Sequence, residues 1–421
     1  MMRRCVLLLM GVLGLCQRGQ AQDTWPRFRG ENGAGVSDLK GIPTHWTEED
    51  YEWKVDLPGV GHSSPVIWKD ALFLATADSQ GERTLRCLDA VTGKQRWAQS
   101  VKLGANGTHK KNNYASATPA VDAERVYITF GDDDHHLIQA FTHAGKSVWE
   151  YDLGAIDTQH GQGMSPIVHG ELVILCSDQR GPSMVVAIDR KTGQEVWKNI
   201  REVREASYST PMVYESAGHP AVLICEAGVS GHTALDLQTG QQLWSTGAVE
   251  LRTCSSVIQA GKLVIGVCGQ GGQGKYMWAT DPWGEGGKAG QVVYSRTKIL
   301  PYVPTPLYVN GRLFFWTDAG MVACVNAETG EDIWVERLGK NVTGSPIAVD
   351  GKIYCISEDG MVGVVDASDT YKFHGFSPIA SKPGSSPAIA DDSYSTPAVA
   401  NGRLYLRGFH TLACLKAKTA P

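Results

Sequence analysis

One ten-residue phrase recurs along the chain. It reads "LDAVTGKQRW" at 88–97, "IDRKTGQEVW" at 188–197, "LDLQTGQQLW" at 235–244 and "VNAETGEDIW" at 325–334. Weaker copies end in Trp149, Tyr294 and Phe373. The aromatic endings thus return every roughly 40–50 residues, the length of a four-stranded propeller blade. A unit of that size cannot bury its own apolar face, so it must stack on copies of itself.

A second phrase keeps step with the first. A Ser or Thr, usually followed by Pro, opens a short apolar run and a turn. It appears as "SSPVIWKD" (63–70), "ATPAVDAE" (117–124), "MSPIVHGE" (164–171), "STPMVYES" (209–216), "SSVIQAGK" (255–262), "PTPLYVNG" (304–311), "GSPIAVDG" (344–351) and "STPAVANG" (395–402). Eight openings face seven endings. The eighth unit runs through "GRLYLRGFHTLACLKA" (402–417) and stops before its aromatic residue. At the other end, "YEWKVDL" (51–57) offers Trp53 with no repeat before it. The spacing predicts an all-β, eight-bladed β-propeller of four-stranded blades, closed by strand 51–57 completing the last blade. A closed ring leaves no large open sheet edge.

Within a blade, strand A follows the Ser/Thr-Pro, B follows a Gly turn, C enters the repeated phrase and D carries the aromatic residue. Gly supplies the positive φ of the C–D turn, and Asp89, Asp189 or Asp236 caps it. Trp53, Trp97, Trp149, Trp197, Trp244 and Trp334 are structural anchors, each offering roughly 200 Å² to a neighbouring blade.

The N-terminus "MMRRCVLLLMGVLGLCQRGQAQD" joins Arg3 and Arg4 to an apolar run from Val6 to Leu15, then Gly19-Gln20-Ala21. This predicts a signal peptide over 1–21 and an exported, periplasmic or secreted protein. Leu15 is too bulky to precede a lipidated Cys16. No later stretch approaches the ~20 apolar residues of a membrane span. A formal charge of −5 with Lys and Arg spread evenly excludes the basic stripe of a nucleic-acid binder. The expected organisation is a leader 1–21, an extension 22–50, the propeller 51–418 and a tail 419–421. Trp25 and Phe28 are expected to anchor the extension on the ring.

Strands alternate in direction, so D–A and B–C loops share one face. That face holds the long segments 100–116, 152–164 and "GQGGQGKYMW" (269–278), together with His62, His109, His135, His136, His160, His232, His374 and His410. Strand A is innermost, so residues just before each Ser/Thr-Pro should ring the channel mouth. These are His62, Tyr114, Gln162, Tyr208, Arg252, Tyr302 and Tyr394. Aromatic and Arg side chains anchor binding sites, which predicts a polar, aromatic-lined funnel for a partner protein or a small polar ligand. "GDDDHH" (131–136) is read as a solvated B–C loop, and no metal set is assigned. No G-x-S-x-G, H-E-x-x-H or P-loop occurs, so no catalytic residue is named.

The repeated "(A/C)-(L/I/V)-D-x-x-T-G-x-x-x-W" with Ser-Pro openings resembles the pyrroloquinoline-quinone (PQQ) repeat propellers, and the opener "WPRFRGENGAGVSD" (25–38) looks like that of their secreted bacterial members. The resemblance spans residues 25 to about 418. It implies either a non-catalytic binding or scaffold propeller, as in the lipoprotein of the outer-membrane β-barrel assembly machine, or a dehydrogenase using PQQ with calcium. The adjacent cysteines of those enzymes are absent, and their Glu, Asn and Asp calcium ligands do not map onto this chain. The reading adopted is the non-catalytic one, without cofactor.

Cys87, Cys324 and Cys414 share a slot in strand C, while Cys176, Cys225, Cys268 and Cys355 fall near the ends of B strands. Equivalent slots rotate apart around a ring, so most are too distant to pair. The exception expected from the A–B hairpin of the fifth blade is a Cys254–Cys268 disulfide.

Overall fold

The computed structural model describes residues 23–418, apart from 106, 285–286 and 387. The expected leader, Cys16 and the tail 419–421 lie outside the described residues. Eight sheets follow one another around a ring, six of four strands and two of five. In the first blade, strands A to D are Val66–Trp68, Ala71–Ala77, Glu82–Asp89 and Gln95–Lys102. The eighth blade takes A to C from Ala398–Ala400, Arg403–Arg407 and Thr411–Lys416, and D from Tyr51–Asp56. Trp53 pairs with Cys414, so the two ends of the chain share one sheet.

The aromatic and the Gly of the repeated phrase act on different blades. Each D-strand aromatic lies over the C–D turn Gly of the next blade: Trp53 over Gly93, Trp97 over Gly145, Trp149 over Gly193, Trp197 over Gly240, Trp244 over Gly290 and Tyr294 over Gly330. These glycines have φ near +70 to +80°, and a Cβ on any of them would sit within 3 Å of the ring. Trp97, Trp149 and Trp197 also donate Nε1 to carbonyls of that next turn, at 2.8, 3.0 and 3.0 Å. The phrase is therefore a latch between blades. Where the seventh blade has lost the Gly, Trp334 instead bonds Ser368 O at 2.9 Å and meets Tyr371 edge-on.

The Ser/Thr opening has a matching cause. In seven of the eight openings the amide donates to the hydroxyl of the next blade: Ser64 to Thr118, Thr118 to Ser165, Thr210 to Ser256, Ser256 to Thr305, Thr305 to Ser345, Ser345 to Thr396, and Thr396 back to Ser64. These groups are buried, where an unpaired amide is costly. A belt of hydroxyls thus runs around the axis and joins the last blade to the first, with one step, from Ser165 to Thr210, not made.

Three expectations are corrected. "GQGGQGKYMW" is no loose loop: Leu263–Gln270 and Gln273–Asp281 are strands joined by Gly271-Gly272, both at positive φ. Two such residues form the tight turn that matches strand twist. No bond joins Cys254 to Cys268, the pair expected to be linked. The hairpin pairs Ile258 with Ile265, and a bridge pairs Arg252 with Gly269, so these cysteines are one residue out of register. A one-residue slip turns a side chain to the other face. Thirdly, thiols of different blades do meet: the sulfurs of Cys176 and Cys225 are 3.2 Å apart.

The segment following the expected leader is part of the ring. Thr24–Trp25 pairs with strand A of the first blade, and Val36–Ser37 runs parallel to strand A of the seventh. Between them, Pro26 O accepts from Val121 N of the second blade, and Asn32 bonds both N and O of Val213 in the fourth. Arg27 and Arg29 donate to Pro211 O and Pro346 O. A segment touching the innermost strands of four blades lies across the channel. Trp25 is fully buried.

Candidate functional site

Above this crossing segment the channel opens into a cavity of about 1070 Å³. Its wall includes all eight hydroxyl residues of the belt: Ser64, Thr118, Ser165, Thr210, Ser256, Thr305, Ser345 and Thr396. Phe28 of the crossing segment also lines it. Strand A starts at this face in every blade, so the repeat itself places a hydroxyl at each step around the axis.

Five of the seven residues expected at the mouth line the cavity: His62, Tyr208, Arg252, Tyr302 and Tyr394. Tyr114 and Gln162 do not. The Tyr114 ring packs under the buried Arg83 guanidinium at 4.5 Å. Gln162 is buried, with Nε2 donating to Thr129 Oγ1 at 2.8 Å. Both sit in irregular D–A loops, where strand periodicity no longer fixes side-chain direction.

Of the eight histidines, only His62, His109 and His160 line the cavity. His374 lies at the start of a D strand, on the opposite face, bonded to Asp366 at 2.6 Å. "GDDDHH" is only partly solvated. Asp132 and His136 are buried, and Asp132 accepts the amides of Gly104, Asp134 and His135. His136 holds Ser177 Oγ at 3.0 Å.

The mouth is bridged by two D–A loops that meet over it. Lys111 reaches Glu358 of the seventh blade at 2.5 Å, and Thr343 Oγ1 bonds the same carboxylate at 2.7 Å. Asn112 Nδ2 donates to His160 O at 2.7 Å, and the His109 and His160 rings are 4.9 Å apart. Arg252 donates to His160 Nε2 and to Gln159 Oε1, both at 2.6 Å. A guanidinium can only donate, so the His160 nitrogen accepts and the ring is neutral. Burial, then the Arg252 charge, lowers its pKa accordingly. His62, packed 4.9 Å from both Tyr394 and Phe409, is pushed down to about 3 by burial and the nearby Arg407. Burial lifts the Asp318 carboxyl to about 6, against the amides of Tyr302 and Val303 that it accepts at 2.7 and 3.2 Å.

A calcium-bound quinone would need converging oxygen ligands in this wall. Its carboxylates are Asp318, which holds two amides, Glu205, which faces Arg252 at 3.5 Å, and the exposed Glu250. No Trp and no adjacent cysteine pair line it, and among the described residues no three His, Cys, Asp or Glu converge as metal ligands. The residues present do not fit that group.

An eight-bladed propeller with a polar, aromatic-studded axial cavity is the class that fold and site define. The family model described as outer membrane protein assembly factor BamB matches residues 50–282 and 233–373, and the chain belongs to that family of PQQ-repeat propellers. The outer membrane protein assembly factor BamB of Burkholderia pseudomallei (strain K96243) is 26% identical over 247 residues, covering 55% of this chain and 58% of that protein. The match thus spans less than two thirds of that relative. Among solved structures, a europium-containing methanol dehydrogenase superposes with a TM-score of 0.70 at 12% identity, over 92% of this chain and 90% of that one. BamB from Moraxella catarrhalis superposes with a TM-score of 0.59 at 14% identity, over 90% and 99%. At these identities the structural likeness speaks for the fold alone. No described helix is long and apolar enough to cross a membrane.

Proposed function

We propose that this chain is an exported, non-catalytic propeller that holds a segment of a partner protein, or a small polar ligand, in its axial cavity. The observation that carries the reading is the cavity: a belt of eight hydroxyls, with His62, Tyr208, Arg252, Tyr302 and Tyr394 around it and Phe28 beneath. Rigid strands present adaptable loops and aromatic anchors, the arrangement that suits recognition. The family's description as an assembly factor supports a protein partner in the cell envelope. Capture from envelope extract with immobilised protein tests it. Arg252→Ala combined with Tyr394→Ala should abolish specific capture with little change in melting temperature; capture that survives the double variant contradicts it.

The second reading is a PQQ-dependent dehydrogenase, since a methanol dehydrogenase shares this fold. Dye reduction with PQQ, calcium or a lanthanide, and a panel of alcohols and sugars separates the two. Turnover would replace the binding reading.

A further inference from the structure

Cys176 and Cys225 lie at the one junction that the belt leaves open. Among the described residues, every amide-to-hydroxyl step is made except that from Ser165 in the third blade to Thr210 in the fourth. At that same junction two buried sulfurs stand 3.2 Å apart. The cysteines are not in equivalent slots. Strand A pairing sets Ile174 opposite Ile167 in the third blade and Ile224 opposite Met212 in the fourth. Cys176 is thus two residues past the reference position and Cys225 one. Side chains alternate along a strand, so one thiol points forward to the next blade and the other points back. They face each other across the gap.

We propose that Cys176 and Cys225 form a disulfide that staples the third blade to the fourth. The sulfurs need to close by only about 1.2 Å to reach the bond length of about 2.0 Å, at a separation of 49 residues in the chain. Arg201, 3.3 Å from Asp178, lies beside both thiols. Burial holds the folded Cys176 thiol well above its ordinary range, and exchange needs the thiolate, so the test supplies the oxidant while the chain refolds. The oxidant is a disulfide donor, either oxidised glutathione or a thiol–disulfide oxidoreductase. One thiolate attacks the donor disulfide and expels the first donor thiol. The second thiolate attacks the mixed disulfide and expels the other. Two electrons and two protons leave on the donor, now two thiols.

The test refolds the reduced chain in mixed oxidised and reduced glutathione. Remaining thiols are then alkylated under denaturing conditions and the peptides mapped. The expected result is a linked pair of peptides carrying Cys176 and Cys225, with Cys87, Cys254, Cys268, Cys324, Cys355 and Cys414 alkylated. Reductant should lower the melting temperature of this oxidised protein by roughly 3–8 °C. The double variant Cys176→Ala, Cys225→Ala should melt at one temperature with or without reductant. Alkylation of Cys176 and Cys225 after oxidative refolding overturns the proposal, as does a link between other cysteines. Peptide mapping of the unaltered chain decides the matter even if the variant fails to fold. It is independent of both export and the role of the cavity.

Discussion

The amide of Thr396 donates to Ser64 Oγ at 3.1 Å, across 332 residues of sequence. This bond closes the hydroxyl belt between the last blade and the first. Both residues are nearly fully buried, so removing the acceptor leaves an amide with neither water nor partner. Ser64→Ala should cost about 1–3 kcal/mol of unfolding free energy, measured by urea titration. A change within error would mean that the belt is incidental to ring closure.

The latch makes a sharper prediction. Gly145 has φ +82°, and its added Cβ would lie 2.7 Å from the Trp97 ring. Gly145→Ala meets both backbone strain and overpacking, and should destabilise by about 2–5 kcal/mol. Gly218→Ala has a similar φ of +84° with open space around it, and should cost only the strain component. Equal losses in the two variants would refute the role given to the Trp97 contact.

Blade number and ring closure were legible because both phrases repeat in phase and Trp53 lacks an opening of its own. The purpose of the phrases was not, because the Gly and the Trp of one phrase act in different blades. The crossing segment has no period to read; its meaning lies in contacts with Val121, Pro211, Val213 and Ala348, which no local pattern reveals. The Gly271-Gly272 turn was present as a signal but was masked by surrounding glycines. For the cysteines, counting from the strand end hid a one-residue offset that counting from the strand A partner exposes. At the cavity, five of the seven residues near the Ser/Thr-Pro were readable and His109 and His160 were placed on the right face, whereas Phe28 arrives on an irregular segment.

Removing residues 22–50 deletes the added strands of the first and seventh blades, with the buried Trp25 and Trp46. The melting temperature should fall while the far-ultraviolet β signal persists. Unaltered melting would show that the segment is dispensable to the ring.

Asp318 gives a pH signature. Its folded pKa of about 6 exceeds the ordinary 3.8, so the folded state binds the proton more tightly than the unfolded state. The stabilisation is full below the unfolded value and is lost as pH rises through about 6. Allowing for partial exposure, unfolding free energy should fall by about 1–2 kcal/mol from acid to neutral pH through this group. Asp318→Asn should flatten that part of the profile in urea titrations. Parallel profiles for the two proteins would contradict the assignment.

The central claim is that the axial cavity, not the outer rim, is where this propeller recognises its partner. A photo-crosslinking amino acid placed at Tyr394 in the cavity wall, or at Val196 exposed on an outer D strand, tests this directly in cells. The account predicts a discrete crosslinked species from position 394 that disappears with Arg252→Ala, and none from position 196. Crosslinks from position 196 alone would place recognition on the rim and contradict it.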